Sequence, residues 1–247
     1  KAWNNEGPQI RLACAITPKH LRYLNEFAKS SNNEYLEALS HLSIAAYFFG
    51  CRSCEYLWVK QRGITELLKL SDITFSNINQ KALSHNDPAL LSKAAYVTIC
   101  FRQQKNREKY EKRTHQKSND DLLCPVRAWA HTIIRIVSSP YINASSYTEA
   151  TVNYYYNRNN KITNQNTFFT QEAIIKLLRL TVNAKEPHYF GYDASQISSH
   201  SIRSGMAMSL FLANEHPFRI MLMGRWKSCA FIDYIRPQVL DWMHSAS

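Results

Sequence analysis

The spacing of apolar residues changes period twice along this chain, and that change restricts the architectures open to it. From Thr17 to Phe49 apolar side chains return every three or four positions: Leu21, Leu24 and Phe27, then Leu36, Leu39, Leu42 and Ala46. Such spacing lines one face of a helix. Thr17-Pro18 offers an N-cap followed by Pro in the first turn, Asn32-Asn33 separates two helices, and Gly50 closes the second. The period then drops to two. Leu70 to Phe75 reads as a short strand, and Val97, Ile99 and Phe101 alternate with Thr98 and Cys100. Lys109 to His115 reads as the return strand of a hairpin whose turn carries Lys105, and 76–93 as a polar excursion.

Helical spacing resumes after Cys124-Pro125, with Val126, Trp129, Ile133 and Val137 on one face. Thr170 caps a helix bearing Ile174, Leu177 and Leu178. Ser198 or Ser199 caps another, from His200 to Asn214. Pro217 to Met223 forms a short helix ended by Gly224, and Ser228 caps a last one with Phe231 and Tyr234, stopped by Pro237. A single period-two block inside a helical chain predicts a mainly helical α+β fold with one small antiparallel sheet. Residues 1–13 read as a tail or linker and 14–247 as one domain. Within it 139–169, rich in Asn, Tyr, Ser and Thr, is expected to be a disordered insertion.

Composition narrows the partners. The chain has 247 residues, 45% of them hydrophobic, and 30 Lys+Arg against 19 Asp+Glu give a net charge of +11. Six Gly and eight Pro exclude collagen-like or low-complexity designs. No apolar run approaches the roughly 20 residues of a membrane span, so no membrane partner is expected. The chain opens on Lys1 with no charged-then-apolar leader, which reads as a fragment without a secretory signal. The positive excess is clustered: Arg102, Lys105, Arg107, Lys109, Lys112, Arg113 and Lys117 face only Glu108 and Glu111. Laid on a phosphate backbone, such a segment releases counterions and binds in a salt-dependent way. Cys51 and Cys54 form a C-x-x-C, but a second close pair of Cys or His is missing. Reduced thiols and no metal are therefore expected.

Several residues could carry chemistry. His200 and Arg203, three apart on a helix, face the same way. Arg52 precedes Glu55 by three, so a carboxylate could hold a guanidinium aimed at a phosphate. Each taken singly is an ordinary surface pair. Trp226 and Tyr234, taken singly, are ordinary core aromatics. In order, however, Arg52, Lys105 on a hairpin, His200-x-x-Arg203, Trp226 and Tyr234 resemble the catalytic domain of the tyrosine recombinase (phage-integrase-type) family. The resemblance covers roughly residues 14 to 243. Gln103-Gln104-Lys105-Asn106, the run from Leu123 to Ala128, the run from His200 to Gly205 and that from Gly224 to Ser228 look like the recombinases of Crypton-type eukaryotic DNA transposons. The Trp226–Tyr234 gap is one residue shorter than in many bacterial and phage members. The Arg52–Lys105 gap is long, which leaves Lys109 as an alternative to Lys105.

The resemblance implies DNA strand cleavage and rejoining without metal or other cofactor. Tyr234 would attack the scissile phosphorus and form a 3′-phosphotyrosine. Arg52 and Arg203 would clamp the phosphate, His200 would hydrogen-bond it or take the Tyr proton, and Trp226 would donate its indole N–H. Lys105 would protonate the departing 5′-oxygen, and Glu55 would orient Arg52. Arg102, Arg107, Lys109, Lys112, Arg113, Lys117, Arg225 and Lys227 are the expected DNA contacts. Partners implied are duplex DNA and further copies of the chain, dimeric or tetrameric on DNA and monomeric without it. The implied address is the nucleus, and the family's N-terminal DNA-binding domain is absent from this chain. A type IB topoisomerase shares the Tyr chemistry but usually carries Lys or Arg where His200 stands. A transposase-derived DNA-binding module that has lost catalysis is the other alternative.

Overall fold

The computed structural model describes residues 14–61, 63–140, 142, 143, 145–155, 167–232 and 235. In chain order come α1 (Pro18–Ser30), α2 (Glu34–Phe48), α3 (Ser53–Tyr56), β1 (Ile73–Ser76), β2 (Ala82–Leu83), α4 (Pro88–Ser92), β3 (Tyr96–Gln103) and β4 (Lys109–Gln116). These are followed by α5 (Pro125–Val137), β5 (Tyr154–Tyr155), β6 (Thr167–Phe168), α6 (Gln171–Asn183), α7 (Ser201–Leu212) and α8 (Pro217–Gly224).

The helix starts are set by side-chain acceptors. Thr17 Oγ1 accepts the His20 N–H at 3.2 Å, and Asn33 Oδ1 accepts those of Tyr35 and Leu36 at 3.0 and 3.3 Å. Each such cap satisfies an amide that would otherwise lack a partner, worth about 1 kcal/mol. α2 is the central element: it packs against α1, α5, α6 and α7. Its Leu39, Leu42, Ala45 and Ala46 are wholly enclosed. Each Leu removed from water in this way contributes about 1.5–3 kcal/mol. Trp129 of α5 lies edge-on to Phe49, ring centroids 6.3 Å apart.

The main sheet runs β2-β1-β3-β4, antiparallel throughout. Val97, Ile99 and Phe101 of β3 enter the core, as their alternation predicts. The register sets Ile99 opposite Arg113 and Phe101 opposite Glu111. The inward face of β4 therefore carries Glu111, Arg113 and His115, which no hydrophobic pattern marks. The strand expected from Leu70 begins only at Ile73, because Asp72 accepts the Lys69 N–H at 2.9 Å and winds Leu70–Asp72 into a 3-10 turn. The polar excursion at 76–93 contains β2 and α4, the latter capped by Asp87.

The described part of 139–169 corrects the expectation of disorder. Val152, Asn153, Tyr154, Tyr155 and Phe169 are buried, and β5 pairs with β6. Backbone bonds from Val152 N–H to Leu68 and from Leu70 N–H to Ala150 tie this segment to the domain. α7 starts at Ser201, one residue after the expected His200, which stands at its N-cap. Beyond α8, Ser228 caps a 3-10 turn, Cys229–Phe231, and the described residues that follow, Ile232 and Ile235, are helical, as the expected last helix requires. Tyr234 and Pro237, and the tail at 1–13, lie outside the described residues.

Candidate active site

The site forms where α2 ends, α7 begins, α8 ends and the β3–β4 hairpin turns over them. Gly50, at φ 51, ends α2 in the left-handed region that glycine tolerates, and its carbonyl points into the cluster. Arg203, 3% exposed on α7, donates Nη1 to that carbonyl and Nη2 to Gly224 O at 2.5 Å. Its guanidinium carbon lies 4.2 Å from the Trp226 ring centroid, a cation–π contact. A Cβ on Gly224 would fall inside the Trp226 ring, so only glycine lets the indole close over Arg203.

Arg52 occupies the N-cap of α3, where its own N–H donates to Glu55 Oε2 at 2.7 Å and its Nη1 to Glu55 Oε1 at 2.9 Å. Nη1 also reaches Gln104 Oε1 at 3.3 Å, and Nη2 the Arg225 carbonyl at 3.5 Å. Glu55 is buried. Burial alone would push its carboxyl up, but the charges of Arg225, Arg52 and Arg203 outweigh that and hold it below the ordinary range.

Lys105 is exposed at the hairpin turn. It stands close enough to His200 for its charge to help lower the imidazole pKa. Desolvation is the first cause, the Arg203 charge the second and Lys105 the third. His200 is thereby favoured in its neutral form; its backbone N–H donates to Ser198 Oγ at 3.1 Å. Lys109 begins β4, opposite Gln103. The structure thus brings Arg52, Lys105, His200, Arg203 and Trp226 to one place.

No protein-family model matches the chain, and no curated protein does. Solved structures do. The XerH site-specific recombinase, in a post-cleavage complex with its palindromic difH substrate, aligns at TM-score 0.52 and 15% identity, covering 96% of this chain and 53% of that one. The XerA recombinase aligns at TM-score 0.48 and 15% identity, covering 95% and 65%. The Tn1549 transposon integrase with circular-intermediate DNA gives 0.48 and 10%, covering 94% and 63%. The chain has the tyrosine recombinase catalytic-domain fold. It spans about half the length of XerH, 53%.

On this recombinase fold the basic residues expected to meet DNA divide. Lys105, Arg107, Lys109 and Lys112 are exposed on the hairpin, and Lys227 is exposed but paired with Glu108 at 2.7 Å. Arg225 corrects the reading: it is 2% exposed and lies beneath Glu55, so it cannot touch DNA. The register turns Arg113 inward, where its Nε donates to Leu222 O at 2.9 Å and its Nη2 pairs with Glu111. Arg102 is engaged by Asp72 and by Ser71 Oγ, and Lys117 donates to Ser92 O. Sequence reasoning missed Gln104 as a site residue. Wholly buried, it links Arg52 to Glu111, donating Nε2 to Glu111 Oε2 at 2.5 Å. The only signal was its place beside Lys105. Among the described residues no three His, Cys, Asp or Glu side chains gather as a metal site. Cys51 is buried, its thiol pushed up to about 12 by burial, and Cys54 is half-buried.

Proposed function

We propose that this domain cleaves and rejoins DNA strands by transesterification, with Tyr234 as nucleophile. The observation that carries the reading is the convergence of Arg52, Arg203, His200 and Lys105 on one site within this fold. Attack on a phosphodiester builds negative charge on the non-bridging oxygens, and fixed guanidinium groups stabilise that charge without reorganising. Arg52 keeps 18% side-chain exposure, so it can meet a phosphate while Glu55 and Gln104 hold it. Neutral His200 suits removal of the Tyr proton or a hydrogen bond to phosphate. Lys105, on a turn, suits protonation of the leaving 5′-oxygen. Bond energy kept in the 3′-phosphotyrosine removes any need for ATP, and the roles named require no metal. Exposed Lys105, Arg107, Lys109 and Lys112 supply phosphate contacts to duplex DNA. The resemblance to Crypton-type recombinases extends the reading to a transposable element's recombinase working as an oligomer on nuclear DNA.

The test is a suicide-substrate trap: a nicked duplex carrying the element's ends, resolved on a denaturing gel, with wild type beside Tyr234→Phe. A slow-migrating covalent band in wild type alone, formed with chelator present, is expected. Tight salt-sensitive binding without a band would favour a DNA-binding module instead.

A further inference from the structure

We infer that Arg225 is a positioning residue that acts on Arg52 through Glu55, so that Arg52 meets the scissile phosphate with its charge undiminished; this rests on the strand-cleavage reading above. The Arg225 side chain is 0% exposed and touches no solvent. Its backbone ends α8 at φ 57, ψ 44, a left-handed conformation uncommon outside glycine. That conformation goes with a side chain turned under the site. There Nη2 donates to Glu55 Oε2 at 2.7 Å and to Gly50 O at 3.3 Å, Nη1 donates to Phe49 O at 3.2 Å, and the guanidinium carbon sits 3.4 Å from the Phe101 ring centroid. Arg52 is gripped by the opposite side of the same carboxylate, and its Nη2 reaches the Arg225 carbonyl at 3.5 Å.

Charge decides what this arrangement does. Arg52 and Glu55 alone form a pair of zero net charge, and an approaching phosphate would compete with the carboxylate for the guanidinium. With Arg225 the same carboxylate is shared between two guanidiniums, and the trio carries one net positive charge. Arg203, donating to the same Gly50 carbonyl, raises the cluster further. Arg225 is therefore the resident counter-ion of Glu55. Removing one member of a buried ionic network leaves its partner uncompensated. Without Arg225 the burial of Glu55 is opposed by fewer cations, the carboxyl takes up a proton at higher pH, and its hold on Arg52 loosens.

The experiment compares wild type, Arg225→Met, Arg225→Lys, Glu55→Gln and the Arg225→Met/Glu55→Gln double variant. Single-turnover cleavage of the nicked duplex is followed against pH, with DNA affinity and thermal melts alongside. Arg225→Met should lose about tenfold or more in cleavage rate with little change in DNA affinity. The loss should deepen as pH falls, because the variant's Glu55 takes up its proton at a higher pH than the wild type's. Arg225→Lys should restore part of the rate, and in the Glu55→Gln background Arg225→Met should cost nothing further. A folded Arg225→Met with the wild-type pH profile, or additive losses in the double variant, would overturn the inference. Should Arg225→Met fail to fold, Arg225→Gln, which keeps an amide donor but loses the charge, decides: a shifted acid limb supports the role and an unchanged profile refutes it. A wild type that forms no Tyr234 adduct sinks the strand-cleavage reading and this inference with it. Adduct in wild type with unmoved variants sinks this one alone.

Discussion

Far from the proposed chemistry, His20 predicts a pH-dependent stability that can be worked through in numbers. It is wholly buried on α1, stacked on Phe190 with ring centroids 4.4 Å apart. Its Nε2 meets Thr181 Oγ1 at 2.7 Å, and its Nδ1 meets the Tyr192 hydroxyl at 2.8 Å. The Thr181 hydroxyl donates its one hydrogen to the backbone, at 2.8 Å from Leu178 O. It must therefore accept from His20, which places the ring proton on Nε2 and leaves Nδ1 to accept from Tyr192. The neutral ring is fully satisfied, and a second proton has no acceptor arranged for it. Burial lowers the pKa from 6.5 to about 4, only partly opposed by the Leu178 backbone. Because the folded value lies below the unfolded one, the unfolded chain binds the proton first as pH falls. Stability is thus intact above pH 6.5 and drains away between there and about pH 4. From about pH 7.5 to about pH 5 the loss is roughly 2 kcal/mol. Urea unfolding followed by tryptophan fluorescence at those two pH values, on wild type and His20→Gln, measures it. The variant should start less stable and lose roughly 2 kcal/mol less across the interval. An equal loss in both proteins would refute the assignment of a neutral, buried His20.

Two more predictions concern the site. Gly224→Ala places a methyl group where the Trp226 ring lies, so the indole must leave Arg203, and overpacking should cost about 1–3 kcal/mol in a thermal melt. A melt unchanged from wild type would mean that the ring has room to move. Lys105→Ala should abolish cleavage of an ordinary nicked duplex yet be rescued by a 5′-bridging phosphorothiolate, whose leaving group needs no proton. Rescue of Lys109→Ala in its place would move the acid to Lys109, against the proximity of Lys105 to His200.

The parts of the fold legible in the sequence were those where periodicity and capping agree. α1, α2, α5 and α6 start where Thr17, Asn33, Cys124 and Thr170 stand, and β3 runs where Val97, Ile99 and Phe101 alternate. Short elements held by tertiary contact left no such trace. β5 and β6 have two residues each, and their Tyr-rich segment is packed because Tyr154, Tyr155 and Phe169 find the core, an outcome that composition alone cannot anticipate. The inward face of β4 was illegible for a different reason. Its half-buried side chains are polar: Glu111 accepts from Gln104, Arg113 donates to the Leu222 carbonyl and His115 lies edge-on to Phe49, contacts that no hydrophobic alternation announces.

Arg225 shows most sharply why charge in a sequence does not give position. Beside Lys227 in a basic chain it reads as a surface cation, yet an arginine can be enclosed where its charge is paired and its terminal donors find acceptors. Here Glu55 meets the charge, and the carbonyls of Phe49 and Gly50 take further donors. The carbonyl of Gly50 can do so because that residue ends α2 in a left-handed turn, and it serves Arg203 as well. One carboxylate thus answers the guanidiniums of Arg52, Arg203 and Arg225. A cluster with that imbalance is stable only while the protein's fixed dipoles hold the surplus, and the surplus lies under Arg52, the member whose side chain reaches the surface. An anion docking there would complete the charge balance that the fold leaves open, which is the arrangement a phosphodiester requires of a site that stabilises its transition state by charge alone.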